Sequence, residues 1–548
     1  MSTPSLAGGP AGPDALRPLV DTVLDALHTG TTARGGPLPP GGPAAVTAHL
    51  YETLTGHQAA ASASLPPQPL ADPGASAGPA AAPGALTGLP ENPTADPGAC
   101  VGPAAAPGAS AGARVRLAAP PATSSGHRPE RPAAPARPGT DTLIPPTGTG
   151  PHEALRTLTH ALAYGAADPA HPHCAAHLHT PPLALAVAAD LAAAALNPSL
   201  DSWDQAPAAS ALEELVTHAL ATEVHPTGPA PDALVTTGGT EANQLALLLA
   251  RERHGAFGAT VQTVCGAGAH HSLHRATWLL GMPEPVTVPA PDGTLDLTAL
   301  DAVLTGLRGP VLVAATAGTT DTGRIDPLPE IADLCDTHGA DLHIDAAYGG
   351  PLLFSDTRRH LLRGLDRATT VTLDLHKLGW QPLAAGLLAV PDRALLRPLA
   401  HTAEYLNPDD DTEAGLPDLL GRSPRTSRRP DILKIAVTLR ALGRSGLGTL
   451  VDQVCAAAQH LADLVEKNPA LELYERPTLS TVLFRPTGAP NTTVAAIRRT
   501  LLTEGRAVLG RARTADGRLW LKATLLNPHA TPDDLAHLLT LVEGSTTR

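Results

Sequence analysis

The chain has 548 residues, 43% apolar and only 2% aromatic, with a formal net charge of −14. That length allows two or three domains, with a core built mainly from Ala, Leu and Val. The acidic balance argues against nucleic acid or an acidic membrane surface as a partner and is otherwise what ordinary solubility requires.

The start, MSTPSLAGGP, has neither a basic opening nor an apolar run, so no export signal is expected. Leu16, Leu19, Val20, Val23, Leu24 and Leu27 recur at helical spacing and predict one amphipathic helix over 14–28, within an N-terminal segment of residues 1–57. The next stretch, 58–150, reads as an Ala/Pro/Gly-rich linker. Of the 58 prolines, 27 fall in the first 150 residues, and ADPGASAGPAAAPGA at 71–85 returns as ADPGACVGPAAAPGA at 95–109. The repeat offers no bulky apolar residue to stack, which favours a disordered linker over a solenoid; a partner-binding tail is the alternative.

Order resumes near 151. PHEALRTLTHALAYG and PLALAVAADLAAAALNP predict helices, the second closed by Asn197 and Pro198. The apolar run Leu183 to Leu196 is broken by Asp190 and too short to cross a bilayer, so no membrane partner is expected. Between the helices, HPHCAAHLHTP carries His171, His173, His177 and His179 beside Cys174. A metal cluster and a loop facing a pocket are both open, and the missing carboxylate partner favours the loop.

From 231 to 390, ALVTT, TVQTVC, EPVTVP, GPVLVAAT, DLHID, TTVTLDL and AGLLAV alternate with helical stretches. This predicts an α/β domain over 151–400 with a mostly parallel seven-stranded sheet. A loop and connection (401–430) precede a smaller α+β domain (431–548), in which LSTVLFRP and RLWLKATLLNP are strand candidates and 532–543 a final helix. Cys100, Cys174, Cys265, Cys335 and Cys455 are odd in number with no close pair, which predicts free thiols and a cytoplasmic setting.

The chemistry concentrates at strand ends. VTLDLHKLGWQPLAAG, Val371 to Gly386, sets Lys377 in an apolar, strand-like run, where an isolated cation is costly and covalent use of the amine gives it a purpose. ALVTTGGTEANQLALLLARE reads as strand, turn at Gly238 and Gly239, and helix opening at Thr240, where unpaired amides favour a phosphate. Asp345 ends DLHID and suits a protonated pyridine nitrogen. His270 suits stacking on a flat ring, and Thr316 can donate its hydroxyl to a ring substituent. Taken singly, each residue has an ordinary structural explanation; the set, in one order along one sheet, is what a pyridoxal phosphate site requires.

TTGGTEAN, AHHSLHRATWLLG, TAGTTDTGRIDPL, LHIDAAYGG and DLHKLGWQP resemble the successive signatures of the group II pyridoxal-phosphate-dependent amino acid decarboxylases, over roughly 150–548. The likeness is nearest to the bacterial branch acting on L-2,4-diaminobutyrate. It implies the fold type I architecture of aspartate aminotransferase, pyridoxal 5'-phosphate as cofactor, an amino acid substrate and a homodimer. It makes Lys377 the lysine that carries the cofactor, Asp345 the ring-nitrogen partner and His270 the stacking imidazole. Gly238, Gly239 and Thr240 become the phosphate turn, with Asp374 and His376 near phosphate and lysine, Ala347 on the opposite ring face and Thr316 near the ring oxygen. Thr180 matches a substrate-carboxylate position, and His177 and Leu178 match side-chain-pocket positions. No metal is implied. The family's loop tyrosine, which returns a proton to the substrate carbon, aligns without gaps near Leu419, and the nearest tyrosine is Tyr405. This departure leaves another reaction on the same fold, such as transamination, aldehyde formation or elimination, as an alternative to decarboxylation, and the repeat-bearing N-terminus leaves a non-enzymatic scaffold as a further one.

Overall fold

The computed structural model describes residues 12–55, 145–255, 260–401, 403–416 and 418–546, together with Ala7. The repeat at 71–85 and 95–109, Cys100 and nearly all of the expected linker lie outside the described residues.

The N-terminal segment holds two helices where one was expected, α1 (Gly12–Arg34) and α2 (Gly42–Thr55). The first lies along α3 (Pro151–Gly165). Thr22 and Thr29 hydrogen-bond His152 and His160, and the buried Arg34 donates to the Ala163 carbonyl at 2.8 Å and pairs with Asp168 at 2.7 Å. Its partner is thus a helix more than a hundred residues downstream, a distance at which local patterning is silent.

A two-residue strand, β1 (Cys174–Ala175), precedes α4 (Ala184–Leu196). That helix ends where Asn197 takes a left-handed conformation (φ 47°) before Pro198, as expected. After α5 (Pro207–Val224) the large sheet begins. Its strands are β2 (Asp232–Thr236), β3 (Gln262–Gly266), β4 (Val286–Val288), β5 (Val311–Thr316), β6 (Asp341–Ala346), β7 (Thr370–Asp374) and β8 (Gly386–Val390). These are the seven expected runs. The order is β2-β8-β7-β6-β5-β3-β4, parallel except for β8, which is antiparallel to both neighbours. Every residue of β2, β5, β7 and β8 is buried, the signature of a sheet covered on both faces. Among the connections are α6 (Gly239–Gly255), α7 (Ser272–Leu279), α8 (Leu297–Gly306) and α9 (Leu328–His338).

Past the short α10 (Asp409–Glu413), the long α11 (Ile432–Glu466) bends at Gly443, the one residue with non-helical dihedrals inside it. Its first half packs Ile432, Ile435, Leu447 and Val451 into the large core; its second half packs Ala458, Leu461 and Val465 into a smaller one. That smaller core belongs to β9 (Leu471–Leu473), β10 (Thr481–Pro486), α12 (Asn491–Thr503), β11 (Val508–Arg513), β12 (Leu519–Thr524) and α13 (Pro532–Gly544). The small sheet runs β1-β11-β12-β10-β9. β1 comes from the stretch assigned by sequence to the large domain yet joins the small sheet, and the first half of α11, from the stretch assigned to the small domain, packs into the large core.

Candidate active site

The carboxyl ends of β2, β5, β6 and β7 converge on a cavity of about 290 Å³. Its lining includes Gly238, Gly239, Thr240, His270, Thr316, Asp345, Ala347, Asp374, His376, Lys377 and Leu178, eleven of the residues singled out by sequence. Ligands gather at this end of an open α/β sheet because strand ends and helix starts deliver side chains and free amides together.

β7 stops at Asp374, so Lys377 sits in the turn beyond the strand and not inside it. Nor is its amine isolated: Nζ lies 2.8 Å from Asp374 Oδ2, and the side chain is 19% exposed at the cavity. Both points correct the expectation of a lone lysine in a strand, and the cause is the same tight turn. The Lys377 N–H reaches the Asp374 carbonyl at 3.3 Å, and the Trp380 N–H reaches the Lys377 carbonyl at 3.3 Å. Trp380, at φ 52°, donates its indole N–H to the Leu526 carbonyl at 2.8 Å, which fastens the end of the turn.

The glycine turn is shaped by what it approaches. A Cβ on Gly238 (φ 152°) would stand 2.9 Å from His376 Cε1, and one on Gly239 would stand 3.0 Å from Ala347 Cβ and 3.1 Å from Asp374 Oδ2. Only glycine lets this backbone close over the lysine turn. The α6 start leaves N–H groups without helical acceptors, which suits an anion. Glu241 steadies it: Oε2 accepts the Thr237 N–H at 2.6 Å, while Oε1 pairs with Arg425 at 3.1 Å. Arg425 belongs to a basic stretch in which Arg422 grips Asp232, Arg428 grips Glu213 and Arg429 grips Asp190 and Asp431.

Asp345, 5% exposed, accepts the Ala347 N–H at 3.1 Å and the Asn243 amide at 2.8 Å. His270 stands at the cavity with Nδ1 2.8 Å from Ser272 Oγ, and burial lowers its pKa against the opposing pull of Asp345. Burial lowers the His376 pKa in the same way. Asn243, Ser272, Thr237, Thr320 and Tyr348 were not assigned by sequence. Tyr348 also borders the cavity, but its hydroxyl is engaged by Ser480 at 2.8 Å and Thr481 at 3.0 Å, and burial raises its pKa to about 12.

Two of the three expected substrate positions do not line the cavity. His177 is exposed, and Thr180 is buried with its hydroxyl unpartnered; Leu178 alone of that loop reaches the lining. The loop is held elsewhere by β1 pairing with β11 and by His173, whose ring meets those of His171 and His537 edge-on. Among the described residues no three His, Cys, Asp or Glu gather as metal ligands. Leu419 is packed with Leu200 and Ala206, and Tyr405 is 81% exposed; neither borders the cavity.

The cavity suits pyridoxal phosphate on its own evidence. Asp374 Oδ1 and His376 Nδ1 are buried without partners beside the glycine cradle, a single amine enters the cavity, and a fixed carboxylate faces it. Residues 144–487 match the pyridoxal-dependent decarboxylase conserved domain. The chain is 41% identical over 423 residues to an L-2,4-diaminobutyrate decarboxylase of Rhizobium meliloti (strain 1021), covering 74% of this chain and 84% of that one. It is 33% identical over 429 residues to a second L-2,4-diaminobutyrate decarboxylase, from Acinetobacter baumannii, covering 72% and 84%. The crystal structure of the glutamate decarboxylase domain of diaminobutyrate-pyruvate transaminase and L-2,4-diaminobutyrate decarboxylase from Vibrio parahaemolyticus superposes with a TM-score of 0.66 at 34% identity, over 74% of this chain and 87% of that one. The seven-stranded sheet is accordingly that of fold type I, the cofactor is pyridoxal phosphate, and the chain belongs to the pyridoxal-dependent amino acid decarboxylases.

Proposed function

We propose that this decarboxylase acts on L-2,4-diaminobutyrate, releasing carbon dioxide and 1,3-diaminopropane, and that it works as a cytoplasmic homodimer. The observation that carries the substrate is the charge of the cavity lining. Among the described residues Lys377 is its one Lys or Arg, against Asp345 and Asp374. An acidic side chain would find no spare cation there, and an aromatic one would find little to stack on beyond His270, His376 and the buried Tyr348. A second amine meets neither obstacle, and both diaminobutyrate decarboxylases named above agree with it.

The chain's own residues divide the work. Gly238, Gly239 and Thr240 would hold the phosphate through amides at the α6 start. Asp345 would keep the ring nitrogen protonated, and His270 and Ala347 would bound the ring faces. Lys377 would hold the cofactor through its amine and yield that place to the substrate amine, with Asp374 2.8 Å away to take or return a proton. Bound pyridoxal phosphate supplies an electron sink for the bond broken when the carboxylate leaves.

Support for the dimer is an apolar face on α5 and α11, lined by Leu212, Leu215, Val216, Leu433, Ala436 and Val437, with Leu215 70% exposed. The free Cys265, Cys335 and Cys455 support a reducing compartment. A panel of L-amino acids, read by mass spectrometry for amine product, tests the substrate: fastest turnover is expected with diaminobutyrate, and faster turnover of an acidic or aromatic amino acid overturns it. Sedimentation of the purified chain tests the dimer, and fractionation of expressing cells tests the compartment.

A further inference from the structure

Asn243 lies in the second turn of α6 with none of it exposed. A side-chain amide has two N–H donors and an oxygen that accepts twice, and here all four are used. The nitrogen donates to Asp345 Oδ2 at 2.8 Å and to Ser272 Oγ at 2.9 Å. The oxygen accepts from Thr372 Oγ1 at 2.8 Å and lies 3.1 Å from His343 Nε2.

These partners leave one arrangement of protons. A carboxylate only accepts, so the amide nitrogen faces Asp345 and the oxygen faces Thr372 and His343. His343 therefore carries its proton on Nε2, and Thr370 Oγ1 donates to its Nδ1 at 2.9 Å. Burial lowers the His343 pKa to about 4, in keeping with a neutral ring. On the other arm Ser272 Oγ already accepts from Asn243, so its own proton goes to His270 Nδ1, 2.8 Å away. The Ser272 backbone N–H reaches the same nitrogen at 3.3 Å. His270 is left with its proton on Nε2.

We propose that Asn243 is a positioning residue that ties the two cofactor-facing groups together: it aims the Asp345 carboxyl and, through Ser272, fixes the tautomer of His270. The proposal rests on the assignment of Asp345 to the ring nitrogen. Without the amide, Asp345 keeps the Ala347 N–H on Oδ1 and loses the charge-assisted hydrogen bond that aims Oδ2. A carboxylate less firmly aimed gives up part of the hydrogen bond that separates a ring N–H from a C–H of the same shape.

The test is equilibrium binding of pyridoxal phosphate and of 1-deazapyridoxal phosphate, whose ring carries C–H in place of nitrogen, to the cofactor-free protein. The unaltered chain is expected to prefer pyridoxal phosphate, and Asn243→Leu to shrink that preference about tenfold or more. A merely structural amide would instead weaken both compounds by one factor. Thr372→Val, which removes one donor to the Asn243 oxygen, is expected to shrink the preference about threefold and serves as the readout where N243L does not fold. An unchanged preference in folded N243L, or in T372V where N243L does not fold, overturns the proposal. Absence of any preference in the unaltered chain overturns instead the assignment of Asp345.

Discussion

Arg428 and Glu213 meet through two hydrogen bonds, at 2.8 and 3.1 Å, with their side chains 2% and 0% exposed. A buried pair of this kind tolerates loss of both charges better than loss of one. Glu213→Ala is expected to lower the free energy of unfolding by about 3–5 kcal/mol in urea titration. The double variant E213L/R428M should recover most of that, and a double variant as unstable as E213A would show that the loss comes from packing instead.

On the proposed division of work, removing the amine of Lys377 would remove both the covalent hold on the cofactor and a proton carrier. Lys377→Ala is expected to lower decarboxylation by about 10² to 10⁴ or more. Borohydride treatment of the loaded protein should leave a pyridoxyl label on position 377 in the unaltered chain and none in K377A. A label of equal yield elsewhere in K377A would move the cofactor's anchor to another residue.

Gly238 combines a positive φ of 152° with a Cβ position 2.9 Å from the His376 ring. Gly238→Ala should therefore strain the turn by about 1–3 kcal/mol. The strain should appear mostly as weaker cofactor binding, roughly 5- to 100-fold, measured by fluorescence titration. Unimpaired affinity would mean that the turn does not close on the phosphate.

His343 titrates near its ordinary value of 6.5 when the chain is unfolded and at about 4 when folded. Between those values the unfolded chain binds a proton that the folded one refuses. Its contribution to stability is thus complete above pH 6.5 and is lost as the pH falls towards 4. His343→Gln, which does not titrate, should give a shallower dependence of unfolding free energy on pH across that window. An equal slope would place the acid sensitivity in the other buried histidines.

All seven strands of the large sheet were legible because each is a short, β-branched or aliphatic run with turn residues on either side. β11 was not, since Gly510 and Arg511 interrupt VLGRAR, and β1 was too short to signal at all. The cavity residues at strand ends were legible from their chemistry. Asn243 was not assigned, although it closes the quoted TTGGTEAN, because its purpose depends on residues 29 to 129 positions away. The HLHTP loop depends on a distant contact as well. Resemblance to the family assigns His177 and Thr180 to the substrate, while in the structure β1 pairs Cys174 with Val508 and Leu178 is the residue of that loop at the lining.

The two oxygens of Glu241 serve different masters, one gripping Arg425 and the other the Thr237 amide at the glycine turn. A displacement of the arginine-rich strap would therefore reach the glycine turn through Glu241 as well as through β2, like a lever with its fulcrum on α6. Damage to the strap would register first as slower loading of the cofactor, with the reacting atoms themselves untouched.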